Sequence, residues 1–290
     1  MTTFAFILIV LSALAHALWN LLVKQSRDKT IFIWWMFFCS GGLLNLLLLF
    51  LPQPFPVPDW RTLLLALAGG FCFVSYHLFN GRAYREGDLS LTYPLSQTAM
   101  LYVPLWGFLF LGERLSAVGL AGIVCIAAGA YCVQLRRLAL DEVLRPFRRL
   151  GDASVQAALA AGFVYSVGAV TDKLGVSGYP PLYFTYLLVM SMFVYLTLML
   201  LPFDAPGRLL AEWRRNRLII LCSGPVMMSS FLTFRFGLKL APMSYAVPLR
   251  QVSLLIGVLI GVLFLGETCG RIRFLAACMI LAGVFLIRFG

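Results

Sequence analysis

Three clusters of polar and aromatic residues interrupt otherwise apolar stretches of this 290-residue chain. His16, Trp19 and Asn20 stand at i, i+3 and i+4, so a helix would carry them on one face. Tyr76, His77 and Asn80 are grouped in the same way, and Tyr93 precedes Gln97 by four residues. Further along, Tyr165 and the pair Arg250-Gln251 lie inside apolar runs. Aromatic walls with a few amide, imidazole and hydroxyl groups suit a substrate-binding pocket for a small molecule. The same groups can instead hydrogen-bond between helices and fix packing. Catalysis is not expected: there is no H-E-x-x-H, no G-x-S-x-G and no Asp pair within an apolar run. His16 and His77 also lack a carboxylate partner on their own helices, so the chain is read as no enzyme, with no catalytic residue assigned. The seven cysteines are scattered without a C-x-x-C, so no disulfide framework, metal site or cofactor is expected.

Arg250 is the sharpest single residue. It lies about six residues, or about 9 Å of helix rise, into its apolar run. An arginine at the centre of a membrane helix is disfavoured by about 2.5–3.5 kcal/mol. Two placements are open to it. It can face an internal cavity and bind a carboxylate, phosphate or phosphonate through its planar fork, or it can snorkel to the interface.

The elements that must position these residues are membrane spans. The chain is 61% hydrophobic and 12% charged, with a mean hydropathy of +0.91. A soluble domain holds roughly 25% charged residues, so a soluble enzyme, a nucleic-acid binder and a disordered protein are all excluded. At about 20 residues per span, the apolar runs divide into ten helices. The first five are expected near 4–23, 31–51, 63–81, 91–111 and 115–135. The second five fall near 153–172, 181–201, 217–236, 244–265 and 272–288. Ala15-His16-Ala17 mimics a signal-peptide cleavage site, but Met1-Thr2-Thr3 lacks a basic start, so the first span is expected to be retained.

The net charge of +11 follows the loops. Sixteen basic residues fall between spans 1–2, 3–4, 5–6, 7–8 and 9–10, against six on the opposite side: Arg61, Arg114, Lys173, Arg235, Lys239 and Arg288. The positive-inside rule then puts both termini outside the cytoplasm. No nucleic-acid partner is implied; membrane lipid explains the cations. Three regions are expected: a first five-span unit over 1–137, a basic surface linker over 138–151 and a second unit over 152–290. The linker is expected to form a short surface helix that Pro146 interrupts.

The two units repeat each other. Residues 90–113 and 244–267 align without a gap, with twelve of 24 positions identical, including Pro94/Pro248, Gln97/Gln251, Gly107/Gly261 and both LFLGE endings. The match runs on to Ala128-Gly129 and Ala282-Gly283, and upstream His16 and Lys24 line up with Tyr165 and Lys173. Five is odd, so the second unit must enter the bilayer inverted, an arrangement typical of secondary transporters with a site near the midplane. The fold expected is therefore an all-α polytopic membrane protein, ten transmembrane helices in two inverted five-helix repeats.

Two five-span units, each closing its fourth span with Leu-Gly-Glu and its fifth with Ala-Gly, resemble the EamA-type members of the drug/metabolite transporter superfamily. The opening His16-Ala17-Leu18-Trp19-Asn20, followed by Lys24 and Arg27-Asp28-Lys29, is similar to a subgroup associated with phosphonate utilisation. The resemblance implies a carrier in the bacterial inner membrane, with a central cavity between the repeats. It implies small-molecule substrates of broad class; a monomer or homodimer is expected.

The remaining motifs have structural readings. Glu113 and Glu267 are expected to cap the following helix or hold the turn between spans. Gly257-x-x-x-Gly261 offers a flat face for close helix approach, and Pro94 and Pro248 allow bending, as gates or as ordinary kinks. All twelve acidic residues are expected in loops or at span ends, which disfavours export of lipophilic cations and leaves proton coupling to His16 or His77. The function expected is secondary transport of a small anionic or zwitterionic metabolite by alternating access. The alternatives are a flippase for a lipid-linked sugar or phosphate, or a multidrug exporter.

Overall fold

A computed structural model describes residues 1–87, 89–133, 135, 137, 139–200, 205–264 and 270–290. The first repeat contains α1 (Thr3–Gln25), α2 (Lys29–Leu49), α3 (Trp60–Glu86), α4 (Leu89–Ser96), α5 (Ala99–Leu111) and α6 (Ala117–Cys132). After the connector α7 (Leu140–Arg148) come α8 (Ala153–Gly178), α9 (Pro181–Leu200), α10 (Ala205–Leu240), α11 (Met243–Leu249), α12 (Val252–Phe264) and α13 (Arg271–Phe289). Among the described residues, eight helical stretches are long and apolar enough to cross a membrane, and α5 and α6 are shorter apolar helices. The protein is an all-helical polytopic membrane protein.

Side-chain size explains how these helices sort their faces. On α1 the large residues Phe4, Ile7, Leu11, Leu14 and Leu18 are exposed, whereas the small residues Ala5, Ser12, Ala13 and Ala17 are buried, along with Ile9, Trp19 and Val23. Lipid is as apolar as any core, so large residues gain nothing by turning inward, and small ones let backbones come close.

The packing is that of an inverted pair. With α1–α6 matched in order to α8–α13, the contact of α3 with α8 has its mate in α10 with α1. Likewise α2 on α10 is matched by α9 on α3, and α5 on α8 by α12 on α1. Helix α6 packs on its own counterpart α13. There, a Cβ added to Gly122 would lie 2.8 Å from the Gly283 carbonyl, and one added to Gly129 would lie 2.8 Å from that of Ala276. These two contacts are exchanged by the repeat offset, and they run in opposite directions along the two helices, so the counterparts are antiparallel. The largest interfaces lie between the repeats rather than within them; the two units interlock and do not form separate bundles.

The structure departs from the sequence reading in several places. Spans 4 and 9 are each broken, at Gln97-Thr98 and at Arg250-Gln251. Several helices outrun their apolar segments: α3 continues to Glu86 and α8 to Gly178. Pro146 does not end the connector helix but lies inside α7. Helix α10 consists of a basic leading segment joined at Asn216 to the span itself. Arg208 in that segment grips Asp28 at 2.6 Å, and Asn216 donates to Glu212. Among the described residues Gly257 makes no close helix approach: a Cβ there would meet nothing within 4 Å. Gly261 and Glu267 lie among the positions whose side chains fall outside the described residues.

Candidate functional site

The two breaks meet at the centre of the fold. After α4 and again after α11 the chain leaves the regular helix for two residues, then resumes it as α5 and α12. Thr98 and Arg250 keep nearly the same backbone there, φ −59°, ψ −15° and φ −61°, ψ −18°. Gln251 Nε2 donates to Gln97 Oε1 at 2.9 Å. These residues occupy equivalent positions in the two repeats, so the bond spans the pseudo-twofold axis.

Arg250 turns inward from its break rather than running to the interface. Its Nη2 lies 3.2 Å from His16 Nδ1 on α1 and 3.2 Å from Ser230 Oγ on α10. Arginine has only donors, so Nδ1 accepts and the imidazole carries its proton on Nε2. The guanidinium also stands 4.4 Å over the Phe234 ring, and the Tyr165 hydroxyl is a further neighbour. Ser230 is anchored by a reciprocal pair of bonds with α1: its Oγ donates to the Ser12 carbonyl, and Ser12 Oγ donates to the Ser230 carbonyl.

Aromatic rings extend the cluster. Trp19 is buried and meets His16 edge to face at 4.8 Å. Tyr165 on α8 lies 5.0 Å from Tyr76 on α3, and Tyr76 lies 5.3 Å from His77. Asn80, one turn beyond Tyr76, is buried beside it. Tyr93 stacks on Tyr84 at 6.5 Å. His77 also borders a cavity of about 30 Å³ among α2, α3 and α9, with Thr30, Phe37 and Leu196. One sequence candidate stays apart: Asn20 is exposed and donates Nδ2 to the carbonyl of His16 in its own helix.

Three buried side-chain atoms among the described residues have no hydrogen-bond partner: Trp19 Nε1, Asn80 Oδ1 and Arg250 Nε. A buried polar atom left unpaired costs about 1–3 kcal/mol. All three belong to the residues that the sequence picked out for a binding pocket.

The sequence missed a buried ion pair. Asp172 on α8 and Arg235 on α10 meet at 2.7 Å with side chains only 2% and 3% exposed. Both had been assigned to loops or span ends because the apolar runs appear to stop near them, but the helices continue for several residues beyond. The apolar residues flanking Arg235 on both sides were the available signal. Two carboxylates are therefore buried after all, Glu212 in the leading segment of α10 and Asp172 among the spans; Asp172 is matched by Arg235, and Arg250 adds a second cation. The local excess of charge is positive.

Glu113 also acts elsewhere than expected. The following helix α6 is capped by Ser116, whose Oγ accepts from Gly119 N at 2.9 Å. Gly112 takes φ +64°, a backbone state that favours glycine, and turns the chain back so that Glu113 reaches the opposite repeat. Its carboxylate accepts from Met243 N at 2.5 Å, from Ser244 N at 2.9 Å and from Ser244 Oγ at 2.5 Å. The Leu-Gly-Glu motif thus caps the first half of the other repeat's broken span. Among the described residues, no three His, Cys, Asp or Glu side chains gather to hold a metal ion.

Comparison with known proteins bears on the whole chain. The model of the EamA-like transporter family matches residues 3–135 and again 153–289. Over 81 residues the sequence is 36% identical to an uncharacterised transporter in the cobO 3′ region of Sinorhizobium sp, covering 27% of this chain and 55% of that protein. The aligned stretch thus spans about half the length of that relative. A solved crystal structure superposes over 99% of this chain and 97% of its own, with a TM-score of 0.74 at 17% identity, a likeness of fold.

Proposed function

Starting from the chain's membership of the EamA-like transporter family, we propose that it is a secondary carrier for a small anionic or zwitterionic metabolite. Arg250 is the residue that binds the anionic group. The observation that carries this reading is the pair of buried, unpartnered donors, Arg250 Nε and Trp19 Nε1, on either side of His16. Two donors and a positive charge in a site enclosed by aromatic rings are complementary to a carboxylate, phosphonate or phosphate oxygen. Asn80 Oδ1 is an acceptor available to a donor elsewhere on the substrate. Tyr76, His77, Tyr93, Gln97, Tyr165 and Gln251 form the remaining wall, and Asn20 is left to the rim.

The paired breaks give the motion a place to occur. A helix interrupted within the bilayer exposes backbone groups that are tolerated beside a site. Inverted repeats allow the two sides to exchange conformations, so alternating access follows from the symmetry. We place both termini on the non-cytoplasmic face of the bacterial inner membrane. With Arg235 buried rather than in a loop, the basic bias towards the other face is larger than the sequence count implied.

The test is uptake and counterflow of methylphosphonate, lactate and alanine in proteoliposomes, with tetraphenylphosphonium as a cationic control. Arg250→Ala should weaken transport of the accepted anion severely, raising its half-saturating concentration at least about tenfold. Arg250→Lys, which keeps the charge but loses the planar fork, should impair it strongly. Wild-type rates in both variants, or transport of the cation alone, would overturn the reading.

A further inference from the structure

The ion pair of Asp172 and Arg235 has no role in the binding site described so far, yet it lies against it. The ring of Phe231 is shared by the two guanidinium groups, with Arg235 Cζ 4.9 Å and Arg250 Cζ 6.0 Å from its centroid. Arg235 is further held by the Phe231 carbonyl at 3.3 Å. Removing a carboxylate and a guanidinium from water costs several kcal/mol per ion, and apolar residues of similar volume would often do as well for stability alone. An ionisable group within a membrane span therefore calls for a function.

The surroundings of Asp172 single it out. Helix α8 packs against α3, α4, α5, α9, α10 and α11. Of the charged groups on these elements and at their ends, Arg235 and Arg250 are the ones that act on Asp172. Its neighbour Lys173 is turned to the carbonyls of Leu238 and Ala241, at 2.7 and 2.8 Å. The charged residues of α3 (Arg61, Arg82, Arg85 and Glu86) stand at the ends of that helix, and α9 carries none. Tyr165, two turns earlier on α8, and Tyr76 beyond it contribute phenol rings. His16 is an unsuitable proton carrier in this state, because its Nδ1 accepts from Arg250.

We infer that Asp172 is the coupling-proton site of this carrier, loaded together with an anionic substrate at Arg250. The inference rests on the proposed transport function. In the structure, one carboxylate and two guanidinium groups share the buried region. A substrate anion arriving at Arg250 places a second negative charge there. A proton taken from water onto a carboxylate oxygen of Asp172 removes the first, so the buried region keeps the net charge it had before the substrate arrived. Substrate and proton therefore favour each other's binding, and the effect is reciprocal. The proton leaves to water on the opposite side, when the site opens there. With both partners almost wholly buried, the proton cannot exchange without that conformational change, which is what tight coupling requires.

Two measurements on the full chain test this. The first is infrared difference spectroscopy of the reconstituted protein across a pH titration, without substrate and then with methylphosphonate or lactate. A protonated-carboxyl band should appear as the pH falls, grow when the anion is added and be missing in Asp172→Asn. The second is transport by the double variant Asp172→Asn/Arg235→Gln, which removes the pair without stranding either charge, with Asp172→Glu as the conservative control. Counterflow should persist in the double variant, while accumulation driven by a pH gradient falls to simple equilibration; the glutamate variant should keep part of the accumulation. Gradient-driven accumulation by the double variant, or an infrared titration unchanged by Asp172→Asn, would overturn the proton assignment and leave the carrier reading intact. If wild-type protein shows no counterflow with any probe, the carrier reading fails, and the infrared result still decides whether Asp172 takes a proton.

Discussion

The two broken spans share their architecture and differ in their chemistry. In the first repeat the residue before the paired glutamine is Ser96, which is buried and has partners in hand: its Oγ donates to the Tyr93 carbonyl at 2.8 Å and lies 3.3 Å from the Tyr84 hydroxyl. In the second repeat the same position is Arg250, which retains an unpartnered Nε. Duplication supplied the scaffold twice: the break, the glutamine across the axis and the proline three residues before that glutamine. The anion site proposed above lies where the copies differ. In a symmetric fold, departures from symmetry are therefore a better guide to function than the repeated positions.

The most disruptive way to break this comparison is to restore the symmetry. Arg250→Ser should make the second break as self-satisfied as the first and remove the guanidinium from the site. A hydrogen bond to a charged group contributes about 1.5–3 kcal/mol, so anion affinity should fall about ten- to hundredfold, read as a rise in the half-saturating concentration for counterflow. The folded state should survive, because the serine leaves no charge unpaired. An unchanged half-saturation would show that the difference between the breaks is incidental.

Much of this arrangement was legible in the sequence, and the exceptions share a cause. The ten spans, the repeat and the central position of His16, Tyr76, Gln97 and Arg250 follow from hydropathy, self-alignment and the cost of polar groups in lipid. Asp172 and Arg235 were missed because hydropathy marks where an apolar run stops, whereas a helix stops where its backbone loses its hydrogen bonds. In α8 these points differ by about a turn and a half. Helical spacing placed Asn20 beside His16 and Trp19, but it cannot tell that the side chain is exposed and bonded to its own helix. The destination of Glu113 was hidden for another reason: its partners lie some 130 residues away, at Met243 and Ser244, and local capping rules consider only adjacent helices.

That contact offers a second, smaller test of the symmetry. Glu113→Ala deprives three donors at the start of α11 of their acceptor, whereas Glu113→Gln keeps one oxygen in place. The alanine variant should lose about 1.5–3 kcal/mol of stability, and the glutamine variant less, as read from thermal unfolding in nanodiscs. Equal losses would mean that the side chain fills space rather than capping the helix.

The smallest effects come from the glycines, and here the expected signs are opposite. At Gly122 an added methyl would sit 2.8 Å from the Gly283 carbonyl and 3.0 Å from the Ile287 nitrogen, both backbone atoms that cannot move aside singly. Gly122→Ala should therefore push α6 from α13 at the symmetry axis and cost about 1–3 kcal/mol. Gly257 belongs to the G-x-x-x-G pattern that marks close packing in many membrane helices, yet it is exposed and has open space around its Cβ position. Gly257→Ala should be neutral or stabilise the helix by up to about 1 kcal/mol, because alanine loses less backbone entropy there. Thermal unfolding of the two variants side by side separates the possibilities. A loss at Gly257 as large as that at Gly122 would mean that a second close contact, on the outer face of α12, forms in the membrane.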